Sequence, residues 1–271
     1  MMRTATALLL SGMLSTTALA GELAHSRVGS GPPVLLVHGM GGDRSGWKDV
    51  SARLAKTHTV IAVDLPGHGQ TPAPANGKFD LDVIADDLAK LLTAEHATPA
   101  IVIGHSLGGA LSAHLAERHA ALVAALVVVD MSIGVTFAPA EAAELRRRLE
   151  QDRAGTLQAW VGSLMKPGNM ERLAPTLNRT ASTTIAGYAD ALANGPLGDG
   201  GKALTMPVLL MATTRTLPGK QPRAQELAEA GFGQAPRLTV EPFPHAAHWI
   251  MWDEPAHFSD VLEAWLARVA K

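Results

Sequence analysis

One stretch decides the fold: PAIVIGHSLGG, residues 99–109. The apolar run Ile101–Ile103 predicts a buried strand, and the spacing of apolar residues over Leu107–Arg118 predicts a helix directly after it. A tight bend must then lie at Ser106, where flanking glycines leave room for it and the hydroxyl stands clear of the sheet. Ser106 is therefore a candidate nucleophile. The alternative is a plain glycine-rich turn.

The predicted bend also gives Ser106 electrostatic support. The first amides of the following helix, including that of Leu107, point at an oxygen placed beside the serine, and the helix dipole favours negative charge there. Charge that develops on a substrate oxygen would thus meet donors already in place. This favours a catalytic serine with the Leu107 amide as one oxyanion donor.

Strands and helices alternate along the rest of the chain, which predicts an α/β fold. Short runs rich in Val, Ile and Leu are typical of parallel strands covered by helices on both faces. These runs are Val34–Val37, Val60–Val63, Ile101–Ile103, Leu126–Val129, Val208–Met211 and Leu238–Val240. Helical patterns occupy Trp47–Lys56, Leu81–Glu95, Leu107–Arg118, Gln221–Ala230 and Ala256–Ala270. We expect a mostly parallel central sheet flanked by helices.

The interval 132–202 breaks this alternation, because it holds helical segments and loops without a convincing strand. Its helical patterns cover Pro139–Arg153, Thr156–Met165 and Thr183–Asn194. We predict that it forms a helical cap, inserted into a core made of residues 21–131 and 203–271.

The first twenty residues have the layout of a secretory signal peptide. Arg3 precedes an apolar run broken by small polar residues, and Ala18-Leu19-Ala20 comes directly before Gly21. The run is too short and too interrupted for a permanent bilayer span. We expect residues 1–20 to be removed and the protein to be secreted or periplasmic, without a stable membrane anchor.

The composition excludes several classes of protein. With 271 residues, 47% of them hydrophobic, the chain can bury a large core, so a disordered or fibrous protein is excluded. A formal net charge of −2 and scattered basic residues leave no footprint for nucleic acid. The chain has no cysteine and no HExxH motif, and we expect no metal and no cofactor. The oligomeric state stays open.

Four motifs resemble the α/β-hydrolase family over nearly the whole chain after the predicted signal peptide. They are Val37-His38-Gly39-Met40-Gly41-Gly42, Asp64-Leu65-Pro66-Gly67-His68-Gly69, GHSLGG at 104–109 and His245-Ala246-Ala247-His248. In this family the nucleophile precedes the acid and the histidine comes last, and this chain has the same order. The resemblance implies a serine hydrolase that cleaves carboxylic esters.

The resemblance also assigns roles to individual residues. The Met40 amide matches the family's second oxyanion donor, beside that of Leu107. His248 matches the catalytic base that takes the serine proton, and His245 is the alternative. Ala247 stands where the family usually has glycine, which is a mild departure.

Three further motif residues are expected to be structural. We expect His38 to be a packed, hydrogen-bonded histidine rather than a catalyst. Asp64 and His68 are expected to hold their own glycine-rich loop rather than to touch substrate.

The triad acid is where the chain departs most from the family. After the predicted strand Val208–Met211 the family usually places an aspartate, but residues 212–216 here read ATTRT. Asp130 follows the strand Leu126–Val129 at the edge where the sites of parallel sheets collect, and some family members use this position. We predict Asp130 as the acid, with capping of the next turn as its alternative role. Poorer candidates are Asp190, Asp199 and Glu241, and a serine–histidine dyad without an acid is also possible.

A serine nucleophile implies acyl transfer rather than the aspartate chemistry of the family's dehalogenases and epoxide hydrolases. We expect a small-molecule ester as substrate, with Trp160, Met165 and Trp249 as candidate contacts; core packing is the alternative for most such side chains. Two other functions stay open. One is hydrolysis of a carbon–carbon bond in a diketone, and the other is noncatalytic ligand binding, suggested by the missing aspartate near Thr216.

Overall fold

The computed structural model describes residues 22–134, 137–195, 197, 199, 201–219, 221 and 223–269. The predicted signal peptide, residues 1–20, lies outside the described residues, and its removal on export stays a prediction. No helix within the described ranges combines the length and the apolar character needed to cross a bilayer.

The described residues form one seven-stranded sheet, in the order β1-β3-β2-β4-β5-β6-β7. The strands are β1 (His25–Gly29), β2 (Pro33–Val37), β3 (Thr59–Val63), β4 (Ala100–His105), β5 (Val123–Val129), β6 (Val208–Ala212) and β7 (Leu238–Pro242). All pair in parallel except β1, which runs antiparallel to β3 at the edge. The prediction of a mostly parallel sheet is confirmed, and all six predicted strands occur in it. Sequence reasoning missed β1, a short, partly exposed edge strand without an apolar run.

Helices follow most of the strands and pack against the sheet. In chain order they are α1 (Lys48–Leu54), α2 (Leu81–Ala94), α3 (Leu107–Arg118), α4 (Pro139–Gln151), α5 (Arg153–Gly162), α6 (Met170–Arg179), α7 (Ser182–Asn194), α8 (Arg223–Glu229), α9 (Ile250–Asp253) and α10 (Pro255–Val269). Every residue of β3 and β6 is buried, and apart from Thr59 at the start of β3 all of these residues are apolar.

Four helices, α4 to α7, lie between β5 and β6 in the interval 132–202. Helix α4 packs against α5 and α7. Sequence reasoning missed α6, whose interior contains Pro175, a residue that argues against a helix. The division of the chain into a core and a cap stays a prediction.

The register of the sheet brings the carboxyl ends of its central strands to one level. Val37 pairs with Gly104, His105 with Val129, and Val129 with Met211. The loops that follow β2, β4, β5 and β6 therefore start side by side at one edge of the sheet.

Helix α3 approaches the sheet too closely for side chains at two positions. A Cβ atom built on Gly108 would lie 2.2 Å from the Val37 carbonyl oxygen, and one on Gly104 would lie 2.1 Å from the Gly108 carbonyl oxygen. These atoms belong to the backbone and cannot move aside. Both glycines are thus required by close packing, which brings the start of α3 against the end of β2.

We expect Gly108→Ala to destabilise the protein by about 1–3 kcal/mol or more, because the new methyl group would push α3 off the sheet. The measurement is the free energy of unfolding from chemical denaturation. Gly162→Ala is the matched control: Gly162 lies in α5 with no atom within 4 Å of a built Cβ. It should keep wild-type stability or gain up to about 1 kcal/mol. Equal stability of the two variants would show that α3 does not need the close approach.

Candidate active site

Ser106 forms the bend between β4 and α3. Its backbone is left-handed, with φ +53° and ψ −125°, a conformation that costs a non-glycine residue about 1–3 kcal/mol. The surrounding backbone holds it there: the Ser106 amide donates to the Val129 carbonyl at 3.0 Å, and its carbonyl accepts from the Gly109 amide at 2.7 Å. Its chain neighbours, His105 and Leu107, are buried, whereas Ser106 is partly exposed. The strained bend thus presents the serine towards solvent.

The glycine-rich loop after β2 packs directly against this bend. A Cβ built on Gly39 would lie 3.1 Å from the Ser106 Cβ atom, so the two loops touch. The Gly42 amide donates to the Gly39 carbonyl at 3.1 Å and closes a turn that contains Met40. Within the described residues, neither the Met40 nor the Leu107 amide donates a hydrogen bond to the chain. Neither of the predicted oxyanion donors is therefore engaged by a partner among the described residues.

His248 lies in the loop between β7 and α9 and is buried. Its Nδ1 atom is 2.7 Å from the Asp130 Oδ2 atom. Its amide donates to the Leu164 carbonyl at 3.0 Å, and the preceding Ala247 amide donates to the Asp253 carboxylate at 2.6 Å. The contact with Asp130 thus orients the ring, and the two amide hydrogen bonds hold the backbone of its loop. The alternative histidine, His245, is exposed.

Asp130 is fully buried at the end of β5, and both of its carboxylate oxygens have partners. Its Oδ2 atom faces His248. Its Oδ1 atom accepts from the Thr213 amide at 3.0 Å, the Thr213 hydroxyl at 2.8 Å and the Thr216 hydroxyl at 2.8 Å. These threonines occupy the strand end where the sequence resemblance places an aspartate. The alternative capping role finds no support at Ile133, because that amide donates to the Ala230 carbonyl instead.

The charges of this pair follow from burial and hydrogen bonding. Burial favours the neutral acid, but the hydrogen bonds from His248, Thr213 and Thr216 outweigh it and keep the pKa of Asp130 below its usual range. Burial lowers the pKa of His248 despite the nearby carboxylate. At neutral pH the imidazole is therefore neutral and carries its proton on Nδ1, where it donates to Asp130. The Nε2 atom is left with a free lone pair and can act as a base.

His105 is a site residue that sequence reasoning missed. Its ring centroid lies 4.6 Å from that of His248, and its Nε2 atom donates to the His248 carbonyl at 2.9 Å. This contact joins residues 143 positions apart in the sequence, so no local sequence pattern predicts it. The only available signal is that His105 directly precedes the serine. It ties the histidine loop to the strand that carries Ser106.

The other candidate acids have different partners. Asp190 forms an ion pair with Arg146, and Asp199 accepts from the Gly201 and Ala203 amides. Glu241 is partly exposed in β7. Of the four acids considered, Asp130 is the one that contacts His248. Within the described ranges, no group of three or more metal-ligating side chains is clustered tightly enough to hold a metal ion.

A small cavity of about 70 Å³ lies beside the glycine-rich loop. Its walls include Gly39, Met40, His105, Leu173, Trp249 and Trp252, but neither Ser106 nor His248. Of the three predicted substrate contacts, only Trp249 lines this cavity. Trp160 and Met165 pack, partly buried, against the core. Met165 nevertheless directly follows Leu164, whose carbonyl holds the His248 amide.

Comparison with known sequences identifies a family. The sequence profile of the "Alpha/beta hydrolase family" matches residues 34–261. A pimeloyl-[acyl-carrier protein] methyl ester esterase from Chromobacterium violaceum is 42% identical over 105 residues, which are 39% of this chain and 39% of that protein. The alignments span less than half the length of each of the curated relatives compared.

Two solved structures have the same fold over nearly their whole length. An esterase from Exiguobacterium antarcticum has a TM-score of 0.78 at 23% identity, covering 90% of this chain and 95% of that chain. A thermophilic esterase from Thermogutta terrifontis has a TM-score of 0.78 at 24% identity, covering 96% and 99%. At this level of identity the likeness establishes the fold and not the reaction.

The environment of His248 predicts how its titration responds to a loss of charge. We expect the wild-type ring to titrate below the ordinary histidine value of 6.5. In Asp130→Asn the pKa should fall further, because the carboxylate that favours the imidazolium is gone while burial stays. NMR of the His248 ring over a pH series measures both. Asp190→Asn is the control and should leave the His248 pKa unchanged. An unchanged or higher pKa in Asp130→Asn would contradict the pairing.

Proposed function

The chain belongs to the alpha/beta hydrolase family, and from this premise we propose that it is a serine esterase that cleaves small carboxylic esters through an acyl-enzyme. The observation that carries the proposal is the 2.7 Å contact between His248 Nδ1 and the buried Asp130 carboxylate, at the same sheet edge as Ser106. This contact leaves the other ring nitrogen as a base, which a serine needs because its hydroxyl is a weak nucleophile at neutral pH.

In the proposed reaction the Ser106 oxygen attacks the ester carbonyl while His248 Nε2 takes the hydroxyl proton. The carbonyl oxygen becomes negatively charged and accepts hydrogen bonds from the Met40 and Leu107 amides. His248 then returns the proton to the departing alcohol as the carbon–oxygen bond breaks. Water, deprotonated by His248, attacks the acyl-serine. The bond between the acyl carbon and the Ser106 oxygen then breaks, His248 returns the proton to that oxygen, and a carboxylic acid leaves. Asp130 stays ionised throughout and stabilises the imidazolium.

The small volume of the cavity favours a short ester group. The space is small, and aromatic and aliphatic side chains, among them Trp249, Trp252 and Leu173, supply much of its lining. Polar and charged side chains, among them Asp43, Arg172 and Thr176, also line the cavity, so its small volume rather than an apolar lining limits the ester group. We therefore propose that a short acyl or alcohol group of the ester binds in this cavity.

Noncatalytic binding was suggested by the missing aspartate near Thr216. That argument loses its basis because the threonines at this strand end hydrogen-bond Asp130, which supplies the carboxylate from the neighbouring strand.

Ser106→Ala should abolish hydrolysis of p-nitrophenyl acetate, because no other hydroxyl stands at the bend. A fluorophosphonate probe should label the wild-type protein on Ser106, as read by peptide mass spectrometry, and should leave the variant unlabelled. Thermal unfolding of the variant should match the wild type, which separates loss of chemistry from loss of fold. Residual turnover above a few per cent of wild type, or labelling elsewhere, would refute the role of Ser106. If the wild-type protein cleaves a diketone but not the ester, its function is hydrolysis of a carbon–carbon bond and not of an ester.

Asp130→Asn should lower kcat by about four orders of magnitude, the loss seen when a triad acid becomes an amide and the imidazole loses its orientation. Thr216→Val is the matched control, since it removes one of three donors to the Asp130 Oδ1 atom and keeps the carboxylate. It should lose about tenfold to a hundredfold, given that one hydrogen bond to a charged group contributes roughly 1.5–3 kcal/mol. Steady-state kinetics of both variants test this. If kcat of Asp130→Asn falls by less than tenfold, another residue must be the acid, or the reaction needs none.

A further inference from the structure

Two buried histidines face each other behind the loop that presents the Met40 amide. His38 belongs to this oxyanion loop, residues 38–42, and His68 belongs to the loop 64–69 that follows β3. Their ring centroids are 5.1 Å apart, edge to face. Both side chains are almost fully buried. Neither contacts the Asp130–His248 pair through a hydrogen bond, so the proposed triad leaves them without a role.

The hydrogen bonds of His68 fix which ring nitrogen carries the proton. The Gly41 amide donates to its Nε2 atom at 3.0 Å. An amide can only donate, so Nε2 must be unprotonated. The proton is then on Nδ1, which donates to the Pro66 carbonyl at 3.2 Å. His68 is thus a neutral imidazole that accepts from the oxyanion loop and donates within its own loop.

His38 makes the reciprocal connection. Its Nε2 atom accepts from the Leu65 amide at 3.0 Å, and its Nδ1 atom donates to the Gly39 carbonyl at 2.8 Å. Each histidine therefore accepts a backbone amide from the other's loop. The two loops are joined by a pair of crossed hydrogen bonds, each of which depends on a neutral ring.

The position of Gly41 links the crossed pair of hydrogen bonds to the backbone of Met40. Gly41 directly follows Met40, and its amide is the donor held by His68. Its φ is +77°. Because glycine has no Cβ atom, Gly41 could adopt many other backbone conformations if its amide had no partner. Fixing its amide limits how the preceding peptide plane, which ends in this amide, can rotate. The Met40 backbone is restricted as a result. Met40 directly follows Gly39, the residue that packs against Ser106.

We propose that His68 is a positioning residue for the oxyanion loop, which holds the Gly41 amide and so keeps the Met40 amide directed at the oxygen beside Ser106. This role goes beyond holding the loop 64–69. The expected effect of His68 on catalysis rests on the proposed esterase function. Burial and the nearby His38 lower the pKa of His68 to about 3, so the accepting form persists at neutral pH.

His68→Phe tests the proposal, because the ring and its packing stay while the acceptor is lost. We expect kcat for p-nitrophenyl acetate to fall about tenfold to a hundredfold with little change in KM, since a misdirected donor weakens transition-state binding. His68→Gln, whose side-chain oxygen can accept from the Gly41 amide, should recover part of the loss. Should the phenylalanine variant fail to fold by circular dichroism, His68→Leu takes its place.

Tyr188→Phe is the matched control. The Tyr188 hydroxyl donates to the same Pro66 carbonyl at 3.0 Å, and its ring lies 5.4 Å from that of His68. Its removal disturbs the 64–69 loop but leaves the acceptor for Gly41 in place. We expect kcat within about twofold of wild type. A loss as large as that of His68→Phe would mean that general loosening of the loop, and not the Gly41 bond, causes the effect, and would overturn the proposal.

Hydrogen exchange at the Gly41 amide supplies a readout that does not require activity. Exchange should be faster in His68→Phe than in wild type and unchanged in Tyr188→Phe. Unchanged Gly41 exchange in His68→Phe, or wild-type kcat despite faster exchange, would overturn the proposal. A wild-type protein that neither hydrolyses esters nor reacts with a fluorophosphonate would end the esterase proposal separately, while the exchange comparison would still report whether His68 holds Gly41.

Discussion

The contact of helix α3 with the ends of β2 and β4 is the constraint on which the site depends. Gly104 and Gly108 have no space for a side chain, so the chain must turn from strand to helix within a single residue. Ser106 occupies that residue and takes a left-handed backbone as a result. The same contact sets the loop 38–42, the proposed oxyanion loop, against the serine, since the carbonyls of Val37 and His38 are the atoms that α3 approaches.

The site also concentrates unfavourable features that the surrounding fold must offset. Ser106 and Asp130 are both non-glycine residues with positive φ, and both directly follow the end of a parallel strand. Asp130 is in addition a buried charge, which is tolerated because each of its oxygens accepts hydrogen bonds. Strain and buried charge that persist together at one sheet edge are expected where structure is selected for chemistry rather than for stability.

The sequence predicted well whatever depends on neighbouring residues. The strand, bend and helix around Ser106 form a local pattern, and α3 has the predicted limits Leu107–Arg118. Asp130 was predicted because it directly follows a strand, at the edge where the sites of parallel sheets collect, and because some members of the family that the chain resembles use this position. What escaped prediction depends on distant residues or weak patterns: the edge strand β1, the proline-containing α6, and the contact of His105 with the His248 carbonyl. Nor could spacing reveal that the threonines after β6 bind the acid from β5, because sheet order decides which strand ends meet.

Ser106, the Met40 amide and the Leu107 amide are expected to form one catalytic geometry, and a crystal structure of the phosphonylated enzyme tests this most directly. The phosphorus mimics the tetrahedral carbon of the transition state. We predict a covalent bond from phosphorus to the Ser106 Oγ atom, with one phosphonyl oxygen within hydrogen-bonding distance of both amide nitrogens. A phosphonyl oxygen directed away from both amides, or an adduct on another residue, would contradict the account.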